Sequence, residues 1–360
     1  MHKTRGTGRF VTRRHIIASA LATTLLTGVA GSASAAGLSG QITLMSYSGI
    51  FQDEYVKTVV KPFEAAHPGV TVKYYTTGNS AQMLGTVRAQ KGSPQVDVVI
   101  FDASTSLIGD KEGLLAPLPV AEHPVIADLA KQAIVKKGYG PAVTFDNLVL
   151  VYNKKKFQKT PTSVAALWDP KLKGRLGISA MPNIQGAALL AMVSKWQGQD
   201  YTKSVSKAVR KLAELAPSVQ TFDPKPDGYT MVLNGDLDMA TGWNARAQYF
   251  EKKNPDTLGV LLPKEGSVLQ INTINLVKGA PNAAAAKAFI DYALSPEAQK
   301  AFTEAMYYAP VNPKAEISTD AEARTAAKRL DQMLPFDWAW EATVASKWTR
   351  DWRRRIVAGH

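Results

Sequence analysis

The fold class follows from the stretch between residues 41 and 101, which begins QITLMSY (41–47) and ends VDVVIF (96–101). The first segment alternates apolar and polar side chains, which predicts a half-buried strand. The last is almost continuously apolar, which predicts a buried parallel strand. Between them, Tyr55, Val59 and Phe63 recur at helical spacing, residues 70–74 alternate again, and residues 81–91 favour a helix. This β-α-β-α-β order predicts an α/β fold with right-handed crossovers.

The pattern continues downstream without an internal repeat or a low-complexity linker. Ser295-Pro296 predicts a helix start, with serine as N-cap and proline at the first helical position. Further strands are predicted at 142–145, 148–152, 176–179, 237–241, 258–262 and 268–277, and helices at 186–196, 203–216 and 283–294.

The length of 360 residues exceeds the usual size of one domain, so we expect two lobes that share crossing strands. The predicted division is lobe 1 at 38–144, lobe 2 at 145–272, a return to lobe 1 at 273–313, and two amphipathic C-terminal helices within 314–360.

The first 35 residues have the pattern of an export signal. Five basic residues and no acid are followed by an apolar run at 16–30 and by Ala33-Ser34-Ala35, which is typical of a cleavage site. Arg13-Arg14, followed closely by Ile16-Ile17, favours the twin-arginine pathway, and general secretion is the alternative. We therefore expect the signal at 1–35 to be cleaved and the mature protein to reside in the periplasm.

Composition excludes several classes of protein. The chain contains no cysteine, which excludes a disulfide framework, a thiolate nucleophile and a zinc–cysteine site. Lys and Arg total 43 against 30 Asp and Glu, a moderate excess over this length. The basic triplets at 154–156 and 353–355 are typical of solvated faces, so we expect no nucleic-acid partner.

The sequence offers little that could catalyse a reaction. Outside the leader and the last position, the histidines are His67 and His123, and both lie beside prolines in predicted solvated turns. No HExxH, GxSxG or P-loop motif occurs. Asp236 and Asp238 could form a carboxylate pair, but they fit a polar turn that enters a strand. We expect no enzymatic activity, no metal site and no cofactor.

Candidate binding residues follow the predicted strands, where ligands of open α/β sheets bind. Aromatic, hydroxyl, amide and guanidinium groups suit the reversible capture of a small polar solute. For Trp243 the alternative is a core position, and for Arg246 a solvated helix position. The predicted ligand-binding residues are Tyr47, Ser48, Asp102, Ser104, Asn183, Gln185, Trp243, Asn244, Arg246, Gln270 and Asn272.

The order of several segments resembles a known family. The segments are LMSY (44–47), KEGLL (111–115), LVYNK (150–154), LWDPKLKG (167–174) and AFIDYALSPE (288–297). Together they resemble the extracellular solute-binding proteins of ABC importers, most closely the spermidine/putrescine-binding branch. The resemblance implies a two-lobe, type II periplasmic binding protein fold, a ligand cleft between lobes that close about a hinge, permease subunits as partners, and a monomer.

Two departures from the polyamine-binding pattern bear on the solute. The loop AMPNIQ (180–185) carries no acid, and QIN (270–272) stands where the resemblance implies Trp-x-Asp. Each missing carboxylate removes a charge-assisted bond of about 1.5–3 kcal/mol to an ammonium group. Arg246 offers a bidentate fork to a carboxylate, and Asp102 could bind an amine.

We therefore expect a neutral, zwitterionic or anionic solute that is delivered to the permease. A polyamine-binding transport protein is the alternative. A secreted enzyme on the same scaffold is the alternative of another class, although thiaminase-type relatives rely on a cysteine that this chain lacks.

Overall fold

The computed structural model describes residues 37–157 and 159–359, in which helices pack on a nine-stranded mixed sheet. The predicted export signal at 1–35 lies outside the described residues. The strands are β1 Gly40–Tyr47, β2 Val70–Thr77, β3 Val98–Asp102, β4 Ala142–Asn153, β5 Leu176–Gly177, β6 Val219–Thr221, β7 Met239–Trp243, β8 Leu258–Leu261 and β9 Leu269–Leu276.

The α-helices account for most of the remaining regular structure. They are α1 Ile50–Tyr55, α2 Lys61–Ala66, α3 Ser80–Ala89, α4 Ala103–Lys111, α5 Ile184–Trp196, α6 Ser206–Ala213, α7 Gly228–Leu233, α8 Asn244–Lys253, α9 Ala283–Ala293, α10 Pro296–Met306, α11 Thr319–Arg324 and α12 Trp338–Arg355. Within the described ranges, no helix is both long and apolar enough to cross a lipid bilayer.

The sheet changes partners within β4, all of whose residues are buried. Residues 142–147 pair antiparallel with β9, whereas residues 148–153 pair antiparallel with β7 and β8. The order along the sheet is β2-β1-β3-β9-β4-β7-β5-β6, with β8 beside β4. A single twelve-residue strand therefore connects the two halves of the sheet.

Each half of the sheet has its own large hydrophobic core. The first core packs β1, β3 and β9 against α1, α2, α9 and α10, and includes Phe145 of β4. The second packs the later part of β4, with Leu148, against α5, α6 and α12. Two cores joined through β4, and again where the chain passes from Val268 of the second core to Leu269 of the first, agree with the α/β architecture predicted from the sequence. The exact lobe boundaries stay a prediction.

The helical stripe that begins at Phe51 shows how local sequence shapes the first core. Phe51, Tyr55, Val59 and Phe63 are all buried at four-residue spacing. An α-helix turns in 3.6 residues, so such a stripe drifts around its surface. Between α1 and α2 the chain forms a π-helical turn at Val56–Val60, whose wider winding keeps the stripe on the core side.

The structure corrects several predicted elements. The helix expected at 203–216 is confined to α6, and a 3-10 turn at Ala216–Ser218 follows, since Pro217 cannot donate a backbone hydrogen bond. The strand expected at 176–179 shortens to the two residues of β5. In the C-terminal region α11 has only six residues, and the four tryptophans of the tail all lie on α12.

Candidate functional site

Tyr47, at the end of β1, is linked by hydrogen bonds to two other segments. Its hydroxyl donates to Asn272 Oδ1 at 3.0 Å and lies 2.9 Å from Ser80 Oγ. Ser80 Oγ also accepts from the backbone N–H of Asp102 at 3.1 Å. Burial, followed by the charge of Asp102, raises the pKa of Tyr47. The ends of β1 and β3 therefore meet β9 at Asn272.

The amides predicted on β9 are largely engaged with each other. Gln270 Nε2 donates to Asn272 Oδ1 at 2.8 Å, and Asn272 Nδ2 donates to Thr144 Oγ1 of β4 at 2.9 Å. Both side chains are buried. Asn272 therefore uses both its oxygen and its amide nitrogen within the protein, and its main role is to hold Tyr47 in place.

Asp102 and Ser104 form the start of α4. Asp102 Oδ1 accepts from the backbone N–H of Thr105 at 2.9 Å and from Ser104 Oγ at 2.7 Å, which caps the helix. Within the described residues, the second carboxylate oxygen of Asp102 has no hydrogen-bond partner. Oδ1 of Asp102 thus caps α4, and the other carboxylate oxygen makes no hydrogen bond with the described residues.

The polar residues after β5 have mainly structural contacts. Gln185 Oε1 accepts from Ser179 Oγ at 3.3 Å and from Thr241 Oγ1 at 3.2 Å, which connects this loop to β7. Asn183 is exposed and caps α5 by accepting from the backbone N–H of Gln185 at 2.9 Å. Ser48 is also exposed, and no hydrogen bond of its side chain is found in the described structure.

Trp243 and Asn244 stand where β7 turns into α8. Trp243 is half-buried against the second core, and its backbone carbonyl accepts from Tyr229 Oη at 3.1 Å. Asn244 is buried, donates through Nδ2 to the carbonyl of Arg324 at 2.8 Å and accepts from Gln248 Nε2 at 3.1 Å. Asn244 therefore joins α8 to the end of α11. Both its amide nitrogen and its oxygen are already engaged in hydrogen bonds within the protein.

Arg246 differs from these amides because its guanidinium has no partner. Among residues 37–157 and 159–359, no hydrogen bond or ion pair involves its side chain, which is half-buried on α8. Its charge nevertheless acts on Asp146, Tyr229 and Tyr308, so all three lie in its neighbourhood. An unpaired guanidinium among aromatic hydroxyls can bind a carboxylate through two parallel hydrogen bonds.

Asp146 is the main residue that the sequence argument missed. It is buried on β4 and accepts through Oδ1 from the backbone N–H groups of Asn147, at 2.8 Å, and Ala245, at 3.0 Å. Burial raises its pKa to about 7, and these N–H groups with the Arg246 charge oppose the rise. A lone acid inside the apolar run AVTFDNLVLVY (142–152) was the signal that could have identified it.

Aromatic rings connect the Tyr47 group to the Arg246 group. Tyr47 meets Phe51 edge-on with ring centroids 5.3 Å apart, and Phe51 meets Tyr308 edge-on at 5.7 Å. Tyr308 is near enough to Arg246 and Asp146 that both charges act on its hydroxyl, whose pKa burial raises. Tyr308, also missed from the sequence, therefore lies between the two groups of predicted residues.

The C-terminal helix adds a third missed residue, Glu341. In the first turn of α12, Trp338 Nε1 donates to the carbonyl of Leu269 at 3.1 Å, which fixes the helix start against β9. Glu341 lies in the same first turn and is only 7% exposed. Burial, followed by the nearby Asp102 charge, raises its pKa to about 7. Nothing local in the tail sequence distinguishes this acid from any other helical glutamate.

Other features of the described residues lie outside this group. A cavity of about 220 Å³ is lined by Lys195, Glu265, Arg329 and neighbouring residues, none of which was predicted to bind ligand. His123, expected in a solvated turn, is buried instead, with Nδ1 2.7 Å from Asp291 Oδ1 of α9. No cluster of three metal-ligating side chains occurs in the part of the chain that the structure describes.

Comparisons with known proteins all indicate one kind of protein. The family model of the bacterial extracellular solute-binding protein matches residues 58–329. The gamma-aminobutyric acid-binding protein of Pseudomonas aeruginosa is 28% identical over 296 residues, covering 80% of this chain and 81% of that protein. Spermidine/putrescine-binding periplasmic protein 1 of Haemophilus influenzae is 24% identical over 282 residues, 75% of this chain and 76% of the relative.

A solved structure agrees with these relatives. The crystal structure of an ABC transporter protein from Clostridium perfringens superimposes with a TM-score of 0.72 at 26% identity, over 88% of this chain and 99% of that one. The chain therefore shares the architecture of that protein over nearly all of the described residues.

Proposed function

The chain belongs to the bacterial extracellular solute-binding proteins, and from that premise we propose that it captures a small solute bearing a carboxylate for an ABC importer. The expected family and the two-lobe α/β fold are confirmed, as is a substrate-binding role in ABC transport. The chemical class of the solute is the part that we propose.

The unpaired guanidinium of Arg246 carries this proposal. Among the described residues the Arg246 guanidinium makes no ion pair, and it lies near tyrosine hydroxyls, so its donors are free to bind a carboxylate. The loop at 180–185 supplies no acid for an ammonium group, which disfavours a diamine. The relative that binds gamma-aminobutyric acid is named for a zwitterion with a carboxylate, which supports the same class.

A polyamine is the second candidate, because two carboxyl groups, Asp102 and Glu341, lie close enough for the charge of one to act on the other. The Haemophilus influenzae relative is named for polyamines. A diamine would leave Arg246 without a partner and place a like charge near it. We therefore favour the carboxylate-bearing solute and use the diamine as a competing ligand in the test.

The test is a binding screen of purified protein stripped of ligand by unfolding and refolding. Amino acids, carboxylates, phosphonates, sugars and diamines are compared by thermal shift and then by calorimetry. A ligand at 100 times its Kd adds about 2.7 kcal/mol of stability, which for a chain of this size raises Tm by roughly 4 °C. Zwitterions or carboxylates are expected to shift Tm, whereas a shift by putrescine alone would refute the proposed class.

Arg246→Ala gives the residue-level prediction. Loss of a charge-assisted, bidentate contact is worth about 1.5–3 kcal/mol, so affinity should fall roughly 10- to 100-fold. Arg246→Lys should recover only part of it, because an ammonium lacks the planar fork. Arg210→Ala removes an exposed arginine of α6 and serves as the matched control. Equal affinity in Arg246→Ala and Arg210→Ala would contradict the proposal.

The remaining features of the proposed function concern export and assembly. The protein is proposed to be a periplasmic monomer, released from a twin-arginine signal at residues 1–35, that passes its solute to permease subunits without chemical change. Arg13→Lys with Arg14→Lys should block export if the twin-arginine route is used, and should leave it intact under general secretion. Recovery of chemically altered ligand would indicate an enzyme instead.

A further inference from the structure

The C-terminal helix α12 occupies a position that links both cores. It packs against α4 of the first half and against α5 and α6 of the second. Trp348 and Trp352 are buried in the second core. The Trp338 indole N–H donates a hydrogen bond to the backbone carbonyl of Leu269 in β9. Both ends of the helix are thus held by tertiary contacts, so the side chains of its first turn have defined positions.

Glu341 lies in the first turn of α12, where a carboxylate interacts favourably with the helix dipole. It is 7% exposed, and within the described residues its carboxyl has neither a hydrogen-bond partner nor an ion-pair partner. Burial of most of the side chain disfavours the charged form of this carboxyl, although its oxygens keep some contact with solvent. A cation that is not part of the chain would favour the charged form if it approached this carboxyl.

A second carboxyl lies at the start of α4, the helix against which α12 packs. Asp102 ends β3 and caps α4, and it keeps one oxygen free of hydrogen bonds in the described structure. Two nearby carboxylates repel each other, and each disfavours ionisation of the other. An ammonium group placed between the two carboxylates favours the ionised form of both. It attracts both negative charges and donates up to three hydrogen bonds.

We propose that Glu341 and Asp102 together bind the amino group of the solute, so that the C-terminal helix completes the ligand site. This inference rests on the proposed function and narrows its substrate class. Arg246 takes the carboxylate at one end, the acid pair takes the ammonium at the other, and Tyr47, Phe51 and Tyr308 form the aromatic wall between them. The substrate class is a small amino acid whose amino and carboxylate groups are separated by a short chain.

The experiment measures calorimetric affinity for three probes that differ in one charge at a time. 4-Aminobutanoate carries both groups, butanoate lacks the amine, and putrescine has an amine in place of the carboxylate. Glu341→Gln keeps the shape of the side chain and removes its charge. Glu297→Gln is the matched control, since Glu297 also stands in the first turn of a helix, α10, but is exposed.

Glu341→Gln is expected to weaken 4-aminobutanoate binding about 10- to 100-fold and to leave butanoate binding unchanged. Glu297→Gln should leave both unchanged. Asp102→Asn, which retains an oxygen to cap α4, should resemble Glu341→Gln and provides a second measurement if Glu341→Gln does not fold. Unchanged affinity for 4-aminobutanoate in both variants would overturn the inference.

Failure of the inference can be separated from failure of the proposed function. If Arg246→Ala loses 4-aminobutanoate while Glu341→Gln and Asp102→Asn bind it normally, the carboxylate-binding function stands and the amine site is refuted. If the wild-type protein binds putrescine and not 4-aminobutanoate, both the proposed class and the zwitterion assignment are refuted. Tight binding of butanoate equal to that of 4-aminobutanoate also refutes the amine site.

Discussion

Replacing Asp146 by asparagine should change the pH dependence of stability. Asp146 is buried at the centre of β4, and burial raises its pKa to about 7 from an ordinary value of about 3.9. Between these two values the folded protein holds a proton that the unfolded chain has released. The free energy of unfolding therefore falls as pH rises through this window.

The size of the effect follows from proton linkage. Each pH unit across the window costs about 1.4 kcal/mol, so the wild-type protein should lose roughly 2–3 kcal/mol between pH 5 and pH 7 through this group. Asp146→Asn keeps an oxygen that can accept from the N–H groups of Asn147 and Ala245. The two proteins should therefore be equally stable only below about pH 4, where Asp146 is protonated in both states, and the advantage of the variant should grow by roughly 2–3 kcal/mol between pH 5 and pH 8.

The assay is urea unfolding of ligand-free protein at pH 5, 6, 7 and 8 for both proteins. Glu341 has a pKa raised to about 7 and contributes in the same direction, but it is present in both proteins and cancels in the difference. Two parallel stability curves would refute the reasoning, because they would mean that Asp146 is ionised in the folded protein throughout this range.

Two further predictions concern the second core and a helix cap. Trp352→Ala should cost about 3–5 kcal/mol in urea unfolding, since the ring is fully buried between α12 and the second core. Trp352→Phe should lower the free energy of unfolding clearly less than Trp352→Ala. Equal decreases in the two variants would contradict a packing role. Ser295→Ala should cost about 1 kcal/mol through the lost hydrogen bond to the backbone N–H of Ala298, and Ser295→Asp should restore most of it.

The regular elements were largely predictable because their signals are local. Alternation predicted β1 and β2, a continuous apolar run predicted β3, and the Ser295-Pro296 pair predicted the start of α10. Boundaries shifted by a few residues where neighbours decided them, as at β5 and α6. Apolar periodicity identifies an element, whereas its ends depend on partners elsewhere in the chain.

The candidate site was only partly predictable. Tyr47 ends β1, Asp102 ends β3 and caps α4, and Arg246 lies near the start of α8, which is where the sequence argument placed them. Asn244 starts α8 and Asn272 lies inside β9, and their side chains form hydrogen bonds with residues far away in sequence, Arg324 and Thr144. A polar residue type shows that a hydrogen bond is needed, but not whether a ligand or the protein supplies it.

The sequence by itself determined the α/β class, most helices and strands, and the absence of cysteine chemistry, because alternation, capping residues and composition act over a few residues. The folded structure was needed to show that β4 belongs to both halves of the sheet, that Asp146 lies near Arg246, and that α12 brings Glu341 into the neighbourhood of Asp102. These contacts join residues that are distant along the chain, and packing between elements, which a local pattern does not encode, creates them.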